Sequence, residues 1–182
     1  MIFKAARNRS LRIGIGSLRG SEKVEASVVQ ADSSGYGTST VFYDAKDLIE
    51  ALRSGAIDAA VRGDLDSHSV MDALKSGFQL GQISRAALLQ PRNGGIFLLA
   101  PVGIDEGDSF AQKLELAKLS VPLMRRLGME PRIGIMSGGR STDLGRSEHV
   151  DRTIRDGSQI VERLVKEGLD AKDVQLMIED AV

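Results

Sequence analysis

The chain has no cysteine and no tryptophan, and aromatic residues make up only 4% of its 182 residues. Without cysteine it can form no disulfide, no thiolate metal site and no cysteine nucleophile. Its two histidines, His68 and His149, have no partner at the spacing of a metal-ligand pair, and we expect both at exposed helix starts. The core must therefore consist of aliphatic side chains, and we expect no metal ion.

The chain also lacks long apolar runs and an excess of charge of either sign. One of its longest apolar stretches, 96–102, is far too short to span a bilayer. The 24 Lys and Arg residues nearly balance the 25 Asp and Glu residues, so we expect no general affinity for nucleic acid or for an anionic membrane. The first residues show no signal-peptide pattern. These features predict a soluble, cytoplasmic protein.

Strand-like and helical segments alternate along the sequence, which is typical of βαβ units in an α/β fold with a mostly parallel sheet. The predicted strands are 11–15, 40–43, 57–61, 132–136 and 174–178. The predicted helices are 21–31, 44–54, 69–75, 109–127 and 150–167, with N-caps at Ser21 and Asp44 and a stop at Gly55. The helical spacing predicts buried stripes, which are Ala45, Leu48, Ile49 and Leu52 in the second helix, Phe110, Leu114, Ala117, Val121 and Met124 in the fourth, and Val150, Ile154, Val161, Leu164 and Val165 in the fifth. Pro122 predicts a kink or break in the fourth helix. Between them, 83–90 and 95–100 flank an Asn-Gly turn and predict an antiparallel hairpin.

The length of 182 residues allows one α/β unit with a single core, or two small lobes with a boundary near 80–105, where the hairpin interrupts the βα rhythm. The sequence ends soon after the predicted strand 174–178, whereas an α/β unit ordinarily continues. We therefore expect the chain to be only part of its fold.

Two glycine-rich strand ends invite comparison with known anion sites. Gly14 and Gly16 end the first strand, but the third glycine of a dinucleotide fingerprint would fall at Arg19. Asp44 stands near the position of the fingerprint's acidic residue, although it is also placed to cap a helix. We favour a structural turn with close backbone packing over a nicotinamide site, and we expect no cofactor.

The segment Ser137-Gly138-Gly139-Arg140 is the stronger candidate because it joins a core strand to a helical region. Backbone N–H groups at such a turn can bind an anion. Arg140 and Arg146 would neutralise phosphoryl oxygens, and the nearby hydroxyls of residues 137, 141 and 142 would donate hydrogen bonds. The alternative is a loop whose hydroxyls only cap the next helix. We favour binding of a small anionic ligand.

Arg62 and Gly63 follow the third predicted strand, and Arg62 could pair with a phosphate or carboxylate in two hydrogen bonds. The alternative, a surface ion pair with Asp64 or Asp66, remains equally open. The acidic segment 105–108 is typical either of a Mg²⁺ site or, more often, of a helix start. The residues expected to contact the ligand are Arg62, Gly63, Ser137, Gly138, Gly139, Arg140 and Arg146.

The segments 96–107, 137–140 and 143–146 together resemble the MtxX family of methanogenic archaea, also called methanogenesis marker protein 4 or methyltransferase subunit X. That family is similar in turn to phosphate acetyltransferases and butyryltransferases. The resemblance implies an isocitrate/isopropylmalate-dehydrogenase-like fold with two α/β lobes around a cleft, a homodimer, and a phosphorylated or acyl/CoA-type ligand.

The chain departs from those acyltransferases in two motifs. It ends before their Ser-Arg pair, and Ser137-Gly138-Gly139-Arg140 replaces their Ser-x-Ser-Thr turn. It also has no corrinoid-binding Asp-x-His-x-x-Gly motif. Two functions therefore stay open: an acyltransferase-like enzyme, and a non-catalytic accessory subunit that joins methyltransferase subunits. An NAD-dependent decarboxylating dehydrogenase ranks last.

Overall fold

The structure, a computed structural model, describes residues 10–35, 37–92, 94–103 and 105–174. The chain divides between Ile83 and Ser84 into two compact units, each built from helices and short strands. The elements of the first unit are β1 (Leu11–Gly16), α1 (Glu22–Ser33), β2 (Gly37–Phe42), α2 (Ala45–Arg53), β3 (Ala59–Val61) and α3 (Ser67–Phe78). Those of the second are β4 (Ala87–Leu89), β5 (Phe97–Leu99), α4 (Phe110–Arg126), β6 (Arg132–Ile135), α5 (Glu148–Lys166) and β7 (Asp170–Asp173).

The first unit is a parallel three-stranded sheet in the order β2-β1-β3. Its helices begin at side chains that accept hydrogen bonds from free backbone N–H groups, as helix N-caps do. Ser21 caps α1, and Asp44 caps α2 by accepting from the N–H groups of residues 46 and 47. Gly55 follows α2 with a φ of 74°, a conformation that glycine adopts without strain. These boundaries confirm the predicted caps.

The apolar face of α2 forms the centre of the first unit's core. Ala45, Leu48 and Ile49 are buried at the predicted helical spacing, and Leu48 has no exposed surface. Ile57 and Leu65 close the same cluster from the loops on either side of β3. A single well-packed core therefore holds this unit.

The second unit contains two separate strand pairs. β4 and β5 are antiparallel, with Leu89 opposite Phe97, and this confirms the predicted hairpin. β6 and β7 are parallel, and Ile135 stands opposite Asp173. The core of this unit gathers around Ile160 and Leu164 of α5, with Ala171 of β7. The α/β class with mostly parallel pairing is thus confirmed.

Several predicted boundaries are wrong for local reasons. The strand predicted at 40–43 begins at Gly37, where a Cβ would overlap the Leu11 carbonyl oxygen. The strand predicted at 57–61 is only Ala59–Val61, and the helix predicted at 69–75 spans Ser67–Phe78. α4 runs through Pro122 without a break; Pro122 is exposed, and buried Leu116 and Val121 lie on the inner side of the helix.

The carboxyl-terminal part of the chain differs more from the prediction. The structure shows a strand at Asp170–Asp173 that was not predicted, and Val174 is not part of it. Residues 175–178 of the predicted strand lie outside the described residues. Buried Asp173 occupies an inward position that an apolar residue would normally fill, so the sequence pattern did not reveal the strand. In α5, Ile160 is buried, whereas Val165, which we expected in the buried stripe, is 53% exposed.

No helix among the described residues is both long enough and apolar enough to cross a membrane.

Candidate functional site

The candidate loop begins with Ser137, just beyond the carboxyl end of β6. Ser137 is buried, and its Oγ donates a hydrogen bond of 3.3 Å to Oδ2 of Asp173 on the neighbouring strand β7. Gly157 of α5 packs so closely over this hydroxyl that a Cβ at that position would overlap it. Ser137 therefore anchors the loop to β7, beneath α5.

The two glycines of the loop provide room for α5. The N–H of Gly138 donates to Oγ1 of Thr153 at 3.1 Å, and a Cβ at Gly138 would come within 2.8 Å of that oxygen. A Cβ at Gly139 would lie 2.7 Å from Cγ1 of Val150. Neither glycine has a positive φ. The Gly-Gly pair is thus explained by close packing rather than by the conformation of a tight turn.

Arg140 and Arg146 converge on Asp143, in a short 3₁₀ turn at Ser141–Asp143. Asp143 Oδ2 accepts hydrogen bonds from the backbone N–H of Arg140 at 3.0 Å and from its Nε at 3.4 Å. Asp143 Oδ1 lies 3.2 Å from Nη1 of Arg146. We call these three residues the Arg–Asp–Arg cluster. Both arginines that we predicted as ligands therefore contact the same carboxylate.

The cluster combines a sheltered carboxylate with two exposed cations. The side chain of Asp143 is 15% exposed, against 56% for Arg140 and 72% for Arg146. The backbone N–H of Arg140 lowers the pKa of Asp143, and the positive charges of Arg146 and Arg140 lower it further. Asp143 is therefore ionised at neutral pH, and the cluster carries a net charge of about +1.

Several backbone N–H groups of the loop are engaged within the protein. Besides those of Gly138 and Arg140, the N–H of Gly145 donates to Oδ1 of Asp151 at 2.8 Å. Ser147 caps α5 by accepting from the N–H of Val150 at 3.2 Å. The first turn of α5 also contains two acidic residues, Glu148 and Asp151. These N–H groups are therefore not available to an anion, whereas the guanidinium groups of Arg140 and Arg146 are exposed. Contact of the loop 137–140 with an anion stays a prediction.

Arg62 and Gly63 lie in the first unit, whereas the other five expected contact residues lie in the second. Nη1 of Arg62 donates to the carbonyl of Leu65, and no ion pair joins Arg62 to either aspartate that we considered. Asp64 instead accepts from the N–H of Leu18 at 2.7 Å, and Asp66 caps α3. The ion-pair alternative is therefore wrong, and a ligand role for Arg62 stays a prediction.

Close packing also explains the other glycines that the sequence analysis singled out. Gly63 has a φ of 61°, and a Cβ there would overlap the carbonyl oxygen of Gly16. A Cβ at Gly14 would lie 2.8 Å from Cδ1 of Leu48, and one at Gly16 would press on Leu65. The first strand thus ends in the tight structural turn that we favoured.

The acidic segment after β5 has a structural role that the sequence did not reveal. The guanidinium of Arg85 binds both Asp105 and Glu106, and the backbone N–H of Arg85 donates to Oε2 of Glu106 at 2.9 Å. The following helix is capped by Ser109 instead. Among the described residues, no group of three or more His, Asp or Glu is placed to hold a metal ion. His68 and His149 are exposed at helix starts, as predicted.

A cleft of about 480 Å³ opens in the second unit beside the same strand β6 that carries the loop. Its walls are β5 and β6, and its floor is one face of α4 that includes Leu116 and Val121. The sequence showed the apolar stripe on α4 but gave no sign that part of it would face a cleft.

The fold and the loop define an α/β protein whose second unit carries an Arg–Asp–Arg cluster at the carboxyl end of a parallel strand. No protein-family model matches the chain. It is 44% identical over 137 residues, 75% of its own length, to the protein named "Putative methyltransferase mtx subunit X" of Methanosarcina barkeri, and the match covers 51% of that protein. The Methanosarcina mazei protein of the same name is 41% identical over 150 residues, which are 80% of this chain and 54% of the relative.

A third relative is named "Uncharacterized methyltransferase" in Methanocaldococcus jannaschii. It is 36% identical over 121 residues, covering 63% of this chain and 49% of the relative. The chain spans about half the length of the curated relatives it matches. Over this matched region the chain is similar to the proteins named putative methyltransferase mtx subunit X, which confirms the resemblance seen in its motifs.

Proposed function

We propose that the protein binds a small phosphorylated or acyl/CoA-type anion through Arg140 and Arg146. The main observation in its support is that one sheltered carboxylate, Asp143, contacts two guanidinium groups that are themselves more than half exposed. Each guanidinium has five N–H donors, and Asp143 engages few of them. Donors on both arginines are therefore available for phosphate oxygens, which arginine binds well in pairs of hydrogen bonds.

The ionised Asp143 also preorganises the site. It limits the positions that both long side chains sample before a ligand arrives, and this reduces the entropy lost on binding. Because the carboxylate neutralises one of the two cations, the ligand must supply its own negative charge to compete for the donors. These properties favour a phosphate or phosphate-bearing compound over a neutral metabolite.

Binding of defined anions to the full chain tests this proposal. Titration calorimetry with inorganic phosphate, acetyl phosphate and coenzyme A should show saturable binding of at least one of them. The double variant Arg140→Ala, Arg146→Ala should weaken that binding by about tenfold or more, since each lost charge-assisted hydrogen bond contributes about 1.5–3 kcal/mol. Arg163→Ala is the matched control because Arg163 is an exposed arginine in the last turn of α5.

The Arg163→Ala control should bind the anion with an affinity within about twofold of that of the unchanged protein, since Arg163 lies at the far end of the helix. Binding that is absent for all three anions, or equal in the double variant and the control, would contradict the proposal.

Two uses of the bound anion are consistent with the family. In an acyltransferase-like enzyme, the arginines would stabilise negative charge that develops on the acyl carbonyl during attack by phosphate or thiol. In an accessory subunit, the ligand would only be held or sensed. The names of the relatives, which describe a subunit, favour the second use.

An assay for acyl phosphate formation from acyl-CoA distinguishes these uses. Turnover that disappears in the double variant supports the enzyme. Stable co-purification with methyltransferase subunits, retained by Arg140→Ala and without turnover, supports the accessory subunit.

We also propose that the whole protein has the two-lobed isocitrate/isopropylmalate-dehydrogenase-like fold and forms a homodimer, as its resemblance to acyltransferases implies. Sedimentation equilibrium would measure the oligomeric state directly, and a monomer at micromolar concentration would refute the dimer.

A further inference from the structure

The cleft of the second unit is bordered by the edges of two strands. Successive side chains of a strand point to opposite faces, so a cleft on one face of a sheet contacts every second residue. Here all the residues of 97–101 and all those of 131–136 line the cleft. Residues from both faces of each strand therefore contact the cleft. This means that the cleft meets the backbone edges of β5 and β6 rather than one face of either strand.

Each of these edges is open among the described residues. β5 pairs only with β4, and β6 pairs only with β7. A two-stranded pair is marginally stable without further strands or a helix against it, and an exposed apolar edge is a template for pairing with more polypeptide. Along the cleft the exposed apolar side chains are Phe97 and Leu99, each 42% exposed, and Met136, 71% exposed.

The floor of the cleft is the kind of surface on which a strand packs. Lys113, Leu116, Ala117, Ser120, Val121 and Met124 line it at the spacing of one helix face. In α/β proteins such a stripe is normally covered by a sheet. In this unit the stripe underlies the gap between two strands.

The relatives supply a candidate for what fills that gap. The chain spans about half of each, so the mtx subunit X proteins contain a comparable length of polypeptide outside the match. We propose that an extended segment from that unmatched part inserts as a β strand between β5 and β6. Backbone hydrogen bonds to both edges would hold it, as in other cases of strand addition. A strand covered on both faces is typically rich in Val, Ile and Leu, and we expect that composition here.

Co-expression tests the insertion directly. The full chain is produced together with the part of the Methanosarcina mazei relative that lies outside the match, and the complex is isolated. Hydrogen exchange should then show new protection of backbone amides in 97–99 and 132–135, slowed by about 100-fold or more relative to the chain alone, as hydrogen-bonded core amides are.

Two leucines of the same hairpin provide matched variants. Leu99 is 42% exposed and lines the cleft, whereas Leu88 is 46% exposed and does not. Leu99→Glu should weaken the complex by about tenfold or more, because the inserted strand would bury an unpaired charge. Leu88→Glu should change affinity by about threefold or less. Circular dichroism of each variant alone verifies that both fold.

Three results would overturn the proposal. One is a complex that forms without new protection at the two edges. Another is protection that already exists in the isolated chain, whether from its own residues or from a second copy detected by sedimentation. The third is an equal loss of affinity in the two leucine variants.

Discussion

In the part of the chain that the structure describes, the two units complete their strand pairing to different degrees. In the first, three parallel strands form one sheet, and the buried face of α2 fills a single core around Leu48. In the second, two separate strand pairs border a cleft of about 480 Å³, and the apolar floor of that cleft belongs to α4. The glycine turns of the first unit are thus explained by packing, whereas the second unit holds both the Arg–Asp–Arg cluster and an open surface.

The units also use arginine–aspartate pairs differently. In the first, Arg12 forms a closed pair with Asp58, with Nη2 at 2.7 Å from Oδ1 and Nε at 3.1 Å from Oδ2. In the second, Asp143 is shared between two arginines, so neither guanidinium is saturated by it. The closed pair neutralises its arginine one to one, while the shared carboxylate leaves a net positive charge for a further anion. This difference is the physical basis of the proposed binding site.

The largest expected effect concerns the completed core. Leu48→Ala should lower the free energy of unfolding by about 2–5 kcal/mol, because it removes a side chain with no exposed surface and leaves a cavity. Urea denaturation followed by circular dichroism measures the change. Leu18→Ala is the control in the same unit, since Leu18 is 57% exposed and should cost about 0.5 kcal/mol or less. Equal losses of unfolding free energy in the two variants would show that Leu48 is not enclosed in a well-packed core.

A smaller effect is expected where α5 packs on the candidate loop. Gly157→Ala should destabilise the second unit by about 1–3 kcal/mol, because its Cβ would overlap the buried Ser137 hydroxyl. The same change should weaken anion binding, since Ser137 anchors the loop that carries Arg140. Thermal unfolding and phosphate titration measure the two effects. Ser158→Ala, at an exposed position of the same helix, should leave both unchanged.

The smallest expected effect distinguishes the two arginine–aspartate arrangements by pH. Hydrogen bonds from the Arg12 side chain lower the pKa of Asp58 to about 2, and the pKa of Asp143 is also below its ordinary value of 3.8. Saturating phosphate should raise the pKa of Asp143, because the anion withdraws the arginines and adds negative charge nearby. The pKa of Asp58 should not move. Carboxyl chemical shifts recorded against pH by NMR would measure both groups.

The sign of the linked stability effect follows from the same shifts. A lowered carboxyl pKa stabilises the folded state above the pKa of the unfolded chain, and that contribution is lost as the pH falls below about 4 and through the folded-state value. Both aspartates should therefore stabilise the protein at neutral pH and cease to do so in acid. The account would be contradicted if the unchanged protein lost stability as the pH rises from 5 to 7 and the Asp143→Asn variant did not.

Local features of the sequence predicted a large part of the fold. The caps Ser21 and Asp44, the stop at Gly55 and the hairpin at 83–100 each depend on hydrogen bonds and conformations within a few residues. The convergence of Arg140 and Arg146 is also local, since both lie three residues from Asp143. Such features can be read without knowing which distant segments come together.

Other features of the site could not be predicted in this way. Ser137 and Asp173 are 36 residues apart, and Arg85 and Glu106 are 21 apart, so neither contact leaves a periodic trace in the sequence. The burial of Asp173 concealed β7, because a charged residue at an inward position breaks the apolar pattern. The hydrogen bond from the N–H of Gly138 to Thr153 likewise joins residues 15 apart, so nothing in the sequence indicated that this donor is already engaged.

The sequence by itself determined the aliphatic α/β class, the helix boundaries set by local caps, and the residues of the Arg–Asp–Arg cluster. These depend on composition, periodicity and hydrogen bonds between near neighbours. Only the tertiary structure decided which N–H groups are already bonded, how β6 and β7 pair, and where the edges of β5 and β6 remain open among the described residues. Those properties depend on contacts between segments that are distant along the chain. The free energy of each contact is determined only when the segments pack.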